Sequence, residues 1–243
     1  MVKVEDIETM GWRKAIKGMR NPLNSWAKSD SKTQYGNIGD GVGNYILGPN
    51  DLNLALRLIK AGPEHRKFLR MIHVQMDITG PLYFWKELDT YKVGTVANSC
   101  STMHKITDKE FTLDDFSCEH LLQSHPTQLE LYSALACAPT RDGKTQWTPM
   151  MHLLSTIAGL NHYRKKYLEN KDKQDWWQLI QLLPSSYNQL RTWDGNMETI
   201  LSILHQRAHH KLDTDWEPFR QSCFDNIPYC KEFYEAMYGK EEN

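Results

Sequence analysis

The stretch NMETILSILHQRAHHK, residues 196–211, constrains the fold more than any other part of the chain. At helical spacing Asn196, Ile200, Ile203, Arg207 and His210 fall along one face, and the two isoleucines mark that face as the buried one. The stripe ends in a guanidinium, which needs an anionic partner or a ring of acceptors once removed from water. Arginine suits phosphate, carboxylate or a flat pyrimidine, each gripped through paired hydrogen bonds. An ion pair with Asp213 or Asp215 at the helix end meets the same need. His205 and His209 lie four apart, but no acidic ligand or HExxH pattern accompanies them, so no metal site is indicated.

Other elements are readable around this helix. Val2 to Ile7 reads as a strand, and Trp12 to Met19 as a helix ending before Asn21-Pro22. Residues 24–48 are rich in Ser, Asn, Gly and Asp and read as a long loop. Asn50 or Asp51 is expected to cap a helix that stops at Gly62. Met71 to Thr79 alternates as a strand does, and Pro81 opens a helix over LYFWKELDTYK. Val93 to His104 is small, hydroxyl-rich and aperiodic, and reads as a binding loop.

Residues 127–145 suggest an Ala-rich helix broken at Pro139. Further helices are expected over Thr148–Leu168, Trp176–Leu183, Asn196–Lys211 and Trp216–Tyr238, the last broken near Pro228. Tyr187–Trp193 reads as a strand. The 243 residues carry no internal repeat and no linker, so a single domain of α/β (α+β) type over 1–243 is expected.

Composition removes several function classes. With Lys+Arg 29 against Asp+Glu 30 the net charge is -1, which gives no electrostatic reason to expect nucleic acid or a membrane surface as partner. No apolar run approaches the ~20 residues that span a bilayer, and the first residues lack a signal-peptide pattern. The five cysteines are odd in number and include no CxxC, so a disulfide framework is not indicated and a reducing cytoplasm fits.

Three segments together resemble the flavin-dependent thymidylate synthases. The clearest is LLPSSYNQLRTWDGNMETILSILHQRAHHKLDTDW; the second is EHRKFLRMIHVQMDITGPLYFWKELDTYKVGTVANSCSTMHK; the third, weaker, is VEDIETMGWRKAIKGMRNP. They cover about half of the chain in the family's order. The resemblance implies that family's fold, with helices packed on a small mixed or antiparallel sheet. It also implies reductive methylation of dUMP to dTMP with FAD, NADPH and methylenetetrahydrofolate, in a homotetramer whose sites form between subunits.

By resemblance, Arg207 contacts the nucleotide, and Asn196, His65 and His210 lie by the flavin, His210 displaced by one position. The family's Arg-His-Arg triplet becomes Thr90, Tyr91 and Lys92, of which Tyr91 and Lys92 are candidates to meet the flavin. Its following serine becomes Cys100, and the next two positions become Ser101 and Thr102. Asn98, Ser99, Cys100 and Ser101 are thereby the candidate nucleotide loop, and Cys100 is also a candidate nucleophile if Lys92 or His104 lowers its pKa.

Each charge-assisted hydrogen bond lost from the triplet is worth about 1.5–3 kcal/mol. His162, Arg164, Lys165 and Lys166 are candidate replacements for the lost cations. Two alternatives follow from that loss: a non-catalytic nucleotide- or partner-binding protein of the same fold, or a flavoenzyme modifying a different pyrimidine nucleotide.

Overall fold

The computed structural model describes residues 1–34, 44–121 and 148–239. In chain order its first elements are β1 (Lys3–Met10), α1 (Trp12–Arg20), β2 (Lys32–Gln34), β3 (Asn44–Ile46), α2 (Pro49–Lys60), β4 (His73–Pro81) and α3 (Leu82–Leu88). There follow β5 (Val96–Ser99), α4 (Thr102–Lys105), α5 (Pro149–Asn170), α6 (Lys173–Leu182) and β6 (Asn188–Asn196). The chain closes with α7 (Met197–Gln206), α8 (Asp213–Asn226) and α9 (Cys230–Tyr238). The residues group into two compact units, one of Met1, Thr79–Leu88 and Ser99–Leu190, the other of Val2–Ile78, Asp89–Asn98 and Arg191–Asn243.

The second unit carries most of a four-stranded sheet of order β1-β4-β6-β5. In β4 the alternation seen in the sequence is realised: Val74, Met76 and Ile78 are buried while His73 is exposed. Each fully buried side chain of this kind contributes about 1.5–3 kcal/mol, an upper estimate. α7 buries Met197, Ile200, Leu201, Ile203 and Leu204. It ends at Gln206 instead of Lys211: Arg207 leaves helical geometry at φ -104, ψ 4, and the QRAHH run offers no large apolar side chain to bury. Trp12, Phe68, Tyr229 and Phe233 form an aromatic cluster with centroids 5.7–6.3 Å apart. The break expected near Pro228 falls between α8 and α9, at Tyr229 with φ 60.

Gly11 precedes α1 with φ 89, and a Cβ there would collide with the Met71 carbonyl. Asp51 does not cap α2; Gly48 precedes that helix and Asp51 is wholly buried on Arg20. The long loop contains more order than expected, since β2 and β3 pair antiparallel, Lys32 opposite Ile46. Val93–His104 likewise holds β5 and the short α4.

In the first unit α5 and α6 form a helical hairpin. Thr148 caps α5 with Pro149 in its first turn, Lys171 ends it at φ 55, and Asp172 caps α6 through Gln174 N at 2.9 Å. Leu153, Ile157 and Leu160 of α5 close over Phe111, Phe116 and Leu179. The expected helix over 127–145 lies outside the described residues, as does Cys137; the other four cysteines are free. Among the described residues no helix is long and apolar enough to cross a membrane.

Candidate functional site

The start of α7 and the turn that follows α3 help build a cleft of about 550 Å³ in the second unit. Asn196 caps α7, its Oδ1 accepting from Thr199 N at 3.0 Å and Thr199 Oγ1 at 3.2 Å. Glu198, Thr199 and Ser202 then face the cleft from the first turns of the helix. Arg66 and Arg70, four residues apart, line it beside Glu198, together with Met237 and Tyr238 of α9. The rim is the run Thr90–Val93. That run is folded back by a hydrogen bond from Thr95 Oγ1 to the Tyr91 carbonyl, and it turns at Gly94, where φ is 70. Gly94 is required twice over: its φ favours glycine, and a Cβ would lie 2.9 Å from Asn196 Nδ2.

Glu198 is gripped by both arginines, accepting from Arg66 Nε at 2.8 Å and from Arg70 Nε. Burial pushes its carboxyl up, but these hydrogen bonds outweigh that and hold it below the usual carboxylate range. The same carboxylate raises Arg70 above its ordinary value. Burial raises the Tyr238 phenol against the opposing pull of Ser202 and Arg66. His205 stacks on Tyr238 with centroids 3.9 Å apart.

Two arginines and Lys92 against one carboxylate leave the cleft cationic, with two phenol rings on its walls. Such a lining suits a flat ligand carrying phosphate. The α7 N-terminus adds favourable partial charge, which Glu198 already engages from within.

Of the residues selected from the sequence, the structure brings Tyr91, Lys92 and Asn196 together on this cleft. Arg207 lies just beyond α7 in the same unit, donating from Nε to Tyr91 Oη at 3.0 Å. Its guanidinium sits 5.3 Å from the Tyr91 ring and 4.8 Å from the Trp216 ring. His65 lies in the exposed turn before Arg66, its N–H on the Gly62 carbonyl. His210 accepts from Leu212 N at 3.2 Å and meets Trp216 edge-on. Neither histidine lines the cleft.

Asn98 is exposed on β5, and Ser99, Cys100 and Ser101 belong to the first unit. There Cys100 is exposed, its N–H on the Leu190 carbonyl at 2.9 Å and its carbonyl accepting from Gln189 Nε2 at 2.9 Å. Ser101 caps α4 by accepting from His104 N. Of the proposed replacement cations, Arg164 donates to the Thr107 and Asp108 carbonyls and Lys166 pairs with Asp175 at 3.0 Å, so both serve α5 and its surroundings. The cations that line the cleft with Lys92 are Arg66 and Arg70. Their spacing in HRKFLR was the available signal, two guanidinium groups one helical turn apart beside His65.

No family model matches the chain, and no curated protein matches it. Solved structures do. Thymidylate synthase X from Helicobacter pylori, with FAD and dUMP, aligns over 98% of this chain and 100% of its own at 16% identity and a TM-score of 0.63. A second structure of that enzyme with FAD and dUMP aligns over 98% of each chain, with a TM-score of 0.59.

The fold is that of the flavin-dependent thymidylate synthases. The UMP/dUMP methylase PolB from Streptomyces cacaoi, bound with 5-Br UMP, shares it over 97% of this chain and 92% of its own, at 12% identity and a TM-score of 0.56. At these identities the likeness concerns the path of the backbone, while the side chains in the cleft are this chain's own.

Proposed function

We propose that the chain is a flavin-dependent enzyme that methylates a pyrimidine nucleotide, reducing and transferring a one-carbon unit from methylenetetrahydrofolate to dUMP at the expense of NADPH. The observation that carries this reading is the convergence of Tyr91, Lys92 and Asn196, three of the five flavin-site positions by resemblance, on one cationic cleft in a fold shared with enzymes crystallised with FAD and dUMP.

The cleft fits FAD in kind. Arg66, Arg70 and Lys92 are donors suited to its phosphates, Tyr91 and Tyr238 are flat walls suited to its rings, and Asn196 Nδ2 stands beside the Gly94 turn as a further donor. Bound there, FAD supplies the hydride chemistry. The chain's own part is to orient and to stabilise charge. Arg207 fixes Tyr91 through its hydroxyl and is assigned to the pyrimidine as well; His65 and His210 are assigned to the flavin's surroundings. Asn98, Ser99, Cys100 and Ser101 are assigned to the nucleotide, in a site completed between subunits of a homotetramer.

The test is the visible spectrum of the purified protein, followed by titration with FAD and then dUMP or UMP. Bound flavin whose absorbance shifts on adding nucleotide, followed by turnover with methylenetetrahydrofolate, is the expected result. Failure to take up FAD overturns the reading in favour of a non-catalytic protein of this fold. Cys100→Ser then decides the thiol's role: lost methyl transfer with flavin binding intact makes it a nucleophile, whereas full turnover makes it a small side chain in place of serine.

A further inference from the structure

The second unit holds another cleft, of about 300 Å³, which shares no lining residue with the first. α1 contributes Arg13, Lys14, Lys17 and Arg20 to it; Trp26, Ser29 and Tyr45 complete it. Arg13, Lys17 and Arg20 recur at helical spacing, so one face of a nine-residue helix is almost wholly cationic.

The four cations are not equivalent. Arg20 is buried and neutralised by Asp51, to which it donates from Nε at 2.5 Å, so it forms the floor. Arg13, Lys14 and Lys17 are exposed, and among the described residues no ion pair engages them. Like charges four apart destabilise a helix, and in a chain of net charge -1 this concentration is local and not a general basic surface. Beside the cations stands Trp26, 46% exposed, its ring anchored by an N–H bond to Asn21 Oδ1 at 2.8 Å. The Tyr45 phenol is raised by burial and opposed by Ser31 and Arg13, which places Arg13 within electrostatic reach of the cleft's far wall.

Unpaired ammonium and guanidinium groups beside a fixed, exposed indole form a recognition set for phosphate joined to an aromatic ring. A volume of about 300 Å³ lies at the small end of ligand sites. We propose that this cleft binds a nucleoside phosphate, with Arg13, Lys14 and Lys17 on the phosphate and Trp26 against the base. It is a second nucleotide site, separate from the flavin-type cleft.

The experiment is calorimetric titration of the full chain with dUMP, AMP and inorganic phosphate. The variants are Lys14→Gln/Lys17→Gln, Trp26→Ala and, in the other cleft, Lys92→Gln. The expected result is a class of sites that Lys14→Gln/Lys17→Gln weakens by about tenfold or more for all three probes. Trp26→Ala should weaken dUMP and AMP but leave inorganic phosphate unchanged, and Lys92→Gln should leave the class intact.

If Lys92→Gln alone abolishes nucleotide binding and the α1 variant alters no isotherm, the proposal falls while the flavin-type cleft stands. If the α1 variant removes the only binding observed, this site stands and the other reading fails. A change of oligomeric mass in the α1 variant, with unchanged affinity per folded chain, makes the cationic face a subunit contact and overturns the proposal.

Discussion

Asp51 and Glu198, in the same unit, each hold arginine, and the two differ in what surrounds the carboxylate. Asp51 is fully buried and accepts from Arg20 Nε at 2.5 Å, Ser29 Oγ at 2.7 Å, Ser31 Oγ at 2.6 Å and the N–H groups of Ser31 and Asp30 at 3.0 and 3.1 Å. Both carboxylate oxygens are engaged by the fold. Among the described residues Glu198 accepts from Arg66 and Arg70 alone, keeps 17% of its side chain exposed, and borders a cleft of about 550 Å³. The ionic chemistry is the same in both. The first pair ties the end of α1 to the first turn of α2, whereas the second stands at the edge of open cleft volume. Saturation and burial, more than the pair itself, separate an anchor from a site.

Asp51→Ala gives the largest expected effect and the sharpest test of that contrast. Removing one partner strands a buried guanidinium, which costs about 3–5 kcal/mol. Urea denaturation should show this, while affinity of the folded fraction for FAD stays near wild type. Burial pushes the Asp51 carboxyl up, but Ser31, Ser29 and Arg20 outweigh it and hold it below the usual 3.8. A depressed folded pKa means the stabilisation is present above the unfolded value and is lost as pH falls through the folded one. The wild type should therefore lose stability below about pH 4, and the variant should lose less over that range.

The sequence made the scaffold legible where burial follows a simple period. β4 alternates, α7 shows its apolar stripe, and the helix break expected near Pro228 falls between α8 and α9. Where pairing is long-range, the signal was absent. Asp51 looked like a helix cap because nothing local reveals an arginine thirty-one positions earlier. The spacing of Arg66 and Arg70 is visible in HRKFLR, but only the folded chain shows Glu198, 132 and 128 positions away, held by both. The resemblance supplied His65, Tyr91, Lys92, Asn196 and His210 as a set, and the structure gathers Tyr91, Lys92 and Asn196 on one cleft while His65 and His210 do not line it.

Glu198→Gln should have a smaller effect, about 1–2 kcal/mol, because a neutral amide still accepts one hydrogen bond and water reaches the rest. Its ligand consequence runs the other way. Removing the internal anion frees Arg66 and Arg70, so phosphate-bearing ligands should bind more tightly to the folded variant. Equal or weaker FAD affinity in a direct titration would show that the arginines belong to the scaffold, as Arg20 does.

Arg207→Lys carries the smallest expected change in stability and tests a third kind of arginine, one held by aromatic rings. Its guanidinium lies 4.8 Å from Trp216 and 5.3 Å from Tyr91 and donates to the Tyr91 hydroxyl at 3.0 Å. Lysine keeps the charge but loses the planar fork that stacks and donates at once. Stability should fall by about 0.5–1 kcal/mol, the usual worth of a partly exposed cation–ring contact. Tyr91, released from its partner, should then hold a flat ligand less well, so FAD affinity should drop several-fold while urea unfolding barely moves. A stability loss approaching that of Asp51→Ala would place Arg207 with Arg20 among the anchors. Unchanged FAD affinity would separate the Tyr91 wall from the flavin altogether, leaving Arg66, Arg70 and Lys92 as the groups that define the cleft.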